Sequence, residues 1–330
     1  MKIAMALAAA GLVLGLGAGG AVAQQSMTLK SADVHPKGYP TVEAVENMSK
    51  KLEQATNGRL KVQVFPSMQL GGEKEFLEQA QVGALAMARV SGGVMGPVVP
   101  EINVLNLPYM FRDSEHMYKV VDGPIGDELL QKITDNPNIG LIGIAWMDGG
   151  ARNIYDRVRP VAKMEDLKGL KIRVIGNPVF VDMMNAMGAN GVAMGYDQLI
   201  NGLQTGVVDG AENNYPSYAT GQHYNYAKYY STTQHLMVPE ILVFSKRVWN
   251  QLSPDDQKLI MKVAKEAQQE QRKLWQAMEK KSLDIMKENN VVLTEVSAAE
   301  KARFKDAMKP VWDKYGAANQ AMIDRIQKVQ

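Results

Sequence analysis

The sequence predicts an α/β protein of two lobes, with more than one crossing between them and one long helix spanning both. Three observations predict it. Strand-length apolar runs alternate with helix-length amphipathic stretches through the first half of the chain, the pattern of a largely parallel sheet covered by helices. About 305 residues remain once an N-terminal leader is set aside, more than one hydrophobic core usually organises. From Asp255 to Lys287 there is neither proline nor glycine, which at 1.5 Å per residue makes a helix about 50 Å long.

The leader comes first. Lys2 supplies a positive start, Ile3 to Leu16 is almost unbroken apolar, and Ala21-Val22-Ala23 is an A-x-A cleavage motif. Residues 1–23 therefore read as a signal peptide cleaved after Ala23, which points to the periplasm. The run is too short for a membrane span, and no later apolar stretch reaches about 20 residues. Gly15 to Gly20 also fits G-x-G-x-x-G, but it follows no strand and falls in the leader, so a dinucleotide site is discarded.

In the first lobe, Met27–Ala32 reads as a strand followed by a polar turn at Asp33–Gly38. Val42, Val45, Met48 and Leu52 mark one helix face, stopped by Asn57-Gly58. Leu60, Val62 and Val64 alternate with Arg59, Lys61 and Gln63, giving a half-buried strand ended by Pro66. A helix over 73–81, a strand over 85–90, two helices near 114–122 and 125–134, and an apolar strand over 140–147 complete the alternation. The second lobe starts near Gly150, with strands over 171–175 and 207–213 and helices over 179–187 and 197–204. Residues 239–245 are again strand-like. Ser253-Pro254 opens the long helix as N-cap and first residue, and Ser297 to Glu300 is a capping box that opens the C-terminal helices. The expected division is lobe I over 24–149 plus about 239–278, and lobe II over 150–238 plus about 279–330.

The chemistry is bounded by what is missing. A formal charge of +2, about +1 without Lys2, argues against a general nucleic-acid binder. There is no cysteine, and His35, His116, His223 and His235 form no H-E-x-x-H, so neither a metal nor a cofactor is expected. No G-x-S-x-G elbow or phosphate-binding loop occurs. Paired carboxylates for glycoside hydrolysis stay open, because sequence does not give their separation. Asp255-Asp256 reads as acidic residues at a helix N-terminus.

Two arginines stand out. Arg152 follows Gly149-Gly150-Ala151, and Arg173 alternates within Lys171–Ile175 opposite Ile172 and Val174. On pattern alone Arg173 fits a solvated sheet face and Arg152 an exposed connecting loop. The other reading places both in a cleft around one carboxylate, which a planar guanidinium fork grips with two charge-assisted bonds.

Leu203 to Asn213, containing Asp209-Gly210-Ala211-Glu212-Asn213, resembles a signature of solute-binding proteins of TRAP (tripartite ATP-independent periplasmic) transporters. So do Gly169-Leu170-Lys171-Ile172-Arg173-Val174 after Gly150-Ala151-Arg152, Phe65 to Glu73, and Leu107 to Phe111, in the same order across essentially the whole mature chain. The resemblance implies the periplasmic solute-binding fold, two α/β lobes joined by crossing strands and a long helix. It implies a bidentate salt bridge from Arg173 to the solute carboxylate, with Arg152 as the second arginine, Asn213 at the same end, and Tyr196 packing on the ligand. His35, Glu73 and Arg89, with Ser91, lie in segments the family uses for other polar contacts, and Asp148 and Glu240 lie at strand ends expected to face the cleft. Residues 31–40, 150–155 and 212–218 look most like the branch that binds sugar acids such as hexuronates. The implied partners are small and large membrane subunits, separate or fused, driven by an ion gradient, with the receptor a monomer and not an enzyme. The readings from other classes are a periplasmic hydrolase or lyase of sugar acids, with Glu73 or His35 as acid–base, and a sensory receptor serving a membrane kinase.

Overall fold

The computed structural model describes residues 26–330; the leader and its glycine motif lie outside the described residues. The chain folds as two sheets, each covered by helices, with an interlobe cleft. The first sheet receives β1 (Met27–Ala32), β2 (Leu60–Phe65), β3 (Met87–Ser91) and β4 (Leu141–Met147). The chain then crosses to the second sheet, which takes β5 (Ala151–Asp156), β6 (Lys171–Val174), β7 (Asn190–Ala193), β8 (Gly210–Asn213) and β9 (Tyr229–Met237). It returns at once as β10 (Glu240–Ser245), and β11 (Val292–Thr294) closes the edge of the second sheet. The orders are β2-β1-β3-β10-β4 and β11-β9-β5-β8-β6-β7. Within the first sheet β10 alone runs antiparallel to its neighbours β3 and β4, because it arrives from the other lobe.

The chain crosses between the sheets from β4 to β5 and from β9 to β10. Gly150 makes the first turn at φ +63°, and a Cβ there would stand 2.7 Å from the Trp275 ring, so glycine is required twice over. The helix Pro254–Glu288 runs across both lobes. Its Ile260, Val263 and Ala264 pack with Val45, Met48 and Leu52 of α1 (Pro40–Ala55), while Met286 joins Tyr155 and Tyr218 of the second lobe. Gln268 and Gln271 are buried and tie it to the crossing: Trp146 N donates to Gln268 Oε1 at 3.0 Å, and Asp148 N donates to Gln271 Oε1 at 2.8 Å. Asp256, at its N-terminus, also pairs with Arg59 Nη1 at 2.9 Å. Among the described residues, no helix is long and apolar enough to cross a membrane.

Several elements differ from the expected ones. Strands β5, β7 and β9 have no strong apolar alternation; the strand expected over 207–213 forms only from Gly210, and the helix expected from 197 starts at Leu199. Arg152 is thus on a strand and not in a loop: it pairs with Leu236 of β9, and its strand pairs with β8 from Asn153 onward. At the C-terminus, Ile323 and Ile326 of the helix Gln320–Lys328 are buried in one cluster with Phe111 and Met117.

Candidate functional site

Between the lobes lies a cavity of about 480 Å³ lined from both sides. The lobes meet around it. Tyr39 and Ser217 share a hydroxyl hydrogen bond of 2.9 Å, the His35 and Tyr196 rings stand edge to face at 5.4 Å, and Asn177 Nδ2 donates to Gly93 O at 2.9 Å.

From the second lobe, strand pairing sets Arg152, Arg173 and Asn213 side by side: β8 pairs with β5 and with β6, placing Asn213 opposite Asn153 and Ala211 opposite Arg173. Both guanidinium groups are buried, yet their surroundings differ. Arg152 Nε donates to Glu212 Oε2 at 2.5 Å and Nη2 to Glu212 Oε1 at 2.8 Å, with a further bond from Nη1 to Asn213 Oδ1 at 3.0 Å. The pair is mutually compensated. Burial would raise the Glu212 carboxyl, but the charge and hydrogen bonds of Arg152 bring it down to about 2.

Arg173 is only 2% exposed and has no such carboxylate. Its Nε donates to Met194 O at 2.8 Å, which aims the fork into the cavity, and its guanidinium lies 5.9 Å from the Tyr196 ring centroid. The two terminal nitrogens have no hydrogen-bond or ion-pair partner among the described residues. Burial lowers its pKa; Glu212 pulls the other way, and the neighbouring charge of Arg152 lowers it further. The solvated sheet face is therefore corrected: the side chain is buried and lines the cavity.

From the first lobe, Arg89 on β3 is 1% exposed and binds three carboxylates: Asp33 Oδ1 at 2.7 Å, Glu240 Oε2 at 2.7 Å, and Glu73. Glu73 opens α2 (Glu73–Val82) and also accepts from the Ser91 hydroxyl at 3.1 Å. Asp33 sits behind, fixed by Thr41 Oγ1 at 2.6 Å. Burial lifts the Glu240 carboxyl to about 7; Arg89 opposes the lift and the Glu73 charge adds to it. His35 stacks on Tyr39 with centroids 3.7 Å apart, and burial together with Arg89 lowers its pKa to about 3, so the ring is neutral.

Of the expected residues, Arg173, Arg152, Asn213, His35, Glu73, Arg89, Tyr196 and Glu240 line this cavity, as does Ser91. Asp148 does not. Its carboxylate accepts from Tyr118 and from Gly150 N at 2.7 Å, so it pins the β4–β5 turn. Glu212, Asp33 and Ser217 were not expected. Glu212 carried a signal, since a carboxylate next to Asn213 in a four-residue buried strand needs a cation. Ser217 carried none, because a lobe-to-lobe contact has no sequence periodicity.

The cavity offers a fork for one anionic group at one end and carboxylate acceptors at the other. The model of the DctP family, bacterial extracellular solute-binding protein, family 7, matches residues 31–319. The chain belongs to this family. It is a solute-binding receptor of TRAP type for small acidic solutes, acting outside the cytoplasm with TRAP membrane subunits; it is not a hydrolase. A TRAP periplasmic solute-binding protein from Pseudomonas putida F1 with bound D-glucuronate is 52% identical, covers 92% of this chain and 98% of its own, and superposes at a TM-score of 0.89. One from Citrobacter koseri with bound D-glucuronate is 46% identical over 92% of this chain and 100% of its own, at 0.89. The apo, open structure from the same organism, 45% identical over 92% and 99%, reaches 0.80, so this receptor has the closed arrangement its lobe contacts describe. A third, from Xanthobacter autotrophicus Py2 with β-D-galacturonate, is 42% identical over 92% and 100%, at 0.87.

Proposed function

We propose that the receptor captures a hexuronate, D-glucuronate or D-galacturonate, and delivers it to a permease of small and large membrane subunits, separate or fused. Arg173 takes the carboxylate through both terminal nitrogens, with Asn213 and Arg152 beside it. Tyr196 and His35 pack against the sugar ring. Glu73 and Glu240 accept from its hydroxyls, with Arg89 holding both in position and Ser91 supporting Glu73. The mature chain begins after Ala23 in the periplasm and works as a monomer. The two lobes hinge at the β4–β5 and β9–β10 crossings, and ligand energy biases the open–closed equilibrium toward closure.

One observation carries this reading: a guanidinium buried to 2% exposure turns two unpartnered nitrogens into a lobe-enclosed cavity. A desolvated charge of this kind is unfavourable unless a carboxylate completes it. The uronates held by relatives of 42–52% identity support the choice of carboxylate. A thermal-shift screen across uronates, dicarboxylates, keto acids and amino acids tests it. A micromolar ligand at millimolar concentration adds about 4 kcal/mol of stability. We expect the largest shift with a uronate, stoichiometric binding without turnover, and loss of the shift in Arg173→Ala. An equal shift in that variant, or none with either uronate, rules the reading out.

A further inference from the structure

We infer that the first-lobe wall of the cavity is an anion-excluding subsite, which restricts the receptor to sugar acids with a single carboxylate and rejects the corresponding aldaric acids. The inference rests on the uronate reading and narrows it. Three carboxylates, Asp33, Glu73 and Glu240, share one guanidinium, Arg89. With all ionised the cluster carries two negative charges; it lines the cavity from the first lobe while Arg152 and Arg173 line it from the second, and Glu240 is the member that feels the charge of Arg152. Both terminal nitrogens of Arg89 are committed to these groups, and its Nε is buried without a partner. Arg89 therefore has no free fork for a second ligand carboxylate.

The chemistry of the wall separates the two ligand classes. Ionised carboxylates accept hydrogen bonds and cannot donate them. A hexuronate whose carboxylate is taken by Arg173 presents hydroxyl groups at its other end, and each can donate to Glu73 or Glu240. In an aldaric acid the same end is a second carboxylate. It has no proton to donate and meets like charge where burial has removed the screening effect of water. The Ser91 hydroxyl does not relieve this, because it is already turned to Glu73 at 3.1 Å.

The test is titration calorimetry of the intact mature receptor with D-galacturonate and with meso-galactarate at pH 8, on wild type, Glu240→Gln and Glu73→Gln. Wild type should bind galacturonate at least 100-fold more tightly than galactarate. Each glutamine variant keeps a similar shape, supplies an N–H donor, and should narrow that ratio at least tenfold, chiefly by improving galactarate. A wild-type circular dichroism spectrum and a single cooperative thermal unfolding transition certify that the variants fold. Galactarate bound within threefold of galacturonate by wild type overturns the inference and leaves the uronate reading standing. So does a ratio that neither variant changes. Failure of both ligands on wild type defeats the uronate reading itself, and this inference with it.

Discussion

Replacing Arg173 with methionine should move stability and affinity in opposite directions. The guanidinium is desolvated, repelled by Arg152, and bound to the protein by one hydrogen bond, Nε to Met194 O at 2.8 Å. An apolar side chain of similar length removes the unpaired charge, which stabilises a buried site by about 1–4 kcal/mol. It also forfeits the Met194 bond, at a cost of about 1 kcal/mol. The net gain of about 0–3 kcal/mol corresponds to a rise in Tm of up to about 5 °C in the ligand-free protein. Affinity falls instead: two charge-assisted hydrogen bonds, about 1.5–3 kcal/mol each, amount to about two to four orders of magnitude in Kd. Arg173→Lys keeps the charge but not the fork, so it should lose about 10–100-fold in affinity with no gain in Tm. Calorimetric melting without ligand and titration with D-glucuronate read both quantities. A methionine variant that melts lower than wild type and binds within threefold of it would refute the reasoning, because Arg173 would then be structural.

Glu212→Gln should cost about 3 kcal/mol of stability, since it leaves Arg152 buried without its counter-charge. The double variant Arg152→Met, Glu212→Leu should recover most of that in urea melts without recovering uronate binding. Acid should destabilise the receptor through its neutral histidines. Burial depresses His223 to about 3, with Arg173 adding to the effect, and burial likewise depresses His35 to about 3. Between about pH 6.5 and 3 the unfolded chain binds protons that the folded chain refuses, so stability falls as pH falls. His223→Gln should reduce the slope of unfolding free energy against pH by up to about 1.4 kcal/mol per unit in that window, and an unchanged slope would exclude His223 as a source. Glu240 acts in the opposite sense. Its folded pKa of about 7 lies above its unfolded one, so its contribution favours folding at lower pH and is lost as pH rises through 7.

Periodicity was enough for the first lobe. β1 and β2 pack one side chain of each pair inward, and α1 presents one apolar stripe, so both lie close to their expected limits. It failed where strands are buried on both faces or are short. Gly210–Asn213 and Asn190–Ala193 have four residues each, and Tyr229–Met237 is Thr- and Tyr-rich with a polar centre that pairs to β5 only through a register shift. In the site, Arg173 was ambiguous by pattern because an exposed face and a cleft face alternate identically; the family motif resolved it. Asp148 misled for a related reason. A carboxylate at a strand end next to two glycines fits a cleft, but the positive φ of Gly150 calls for a side chain that fixes the turn, and Asp148 serves there.

The difference between the two arginines follows from where each finds its counter-charge. Arg152 has Glu212 in its own lobe, so its position is set by folding. Arg173 has no ion-paired carboxylate among the described residues, and in the proposed function a bound solute completes it. Had both been paired internally, the site would be stable but would gain little from a carboxylate; had neither been paired, two adjacent buried cations would destabilise the lobe. One compensated arginine therefore allows one uncompensated arginine beside it, and the free energy withheld in folding is released on binding. In the proposed function that release falls in a cavity lined from both lobes, so carboxylate recognition and closure are coupled.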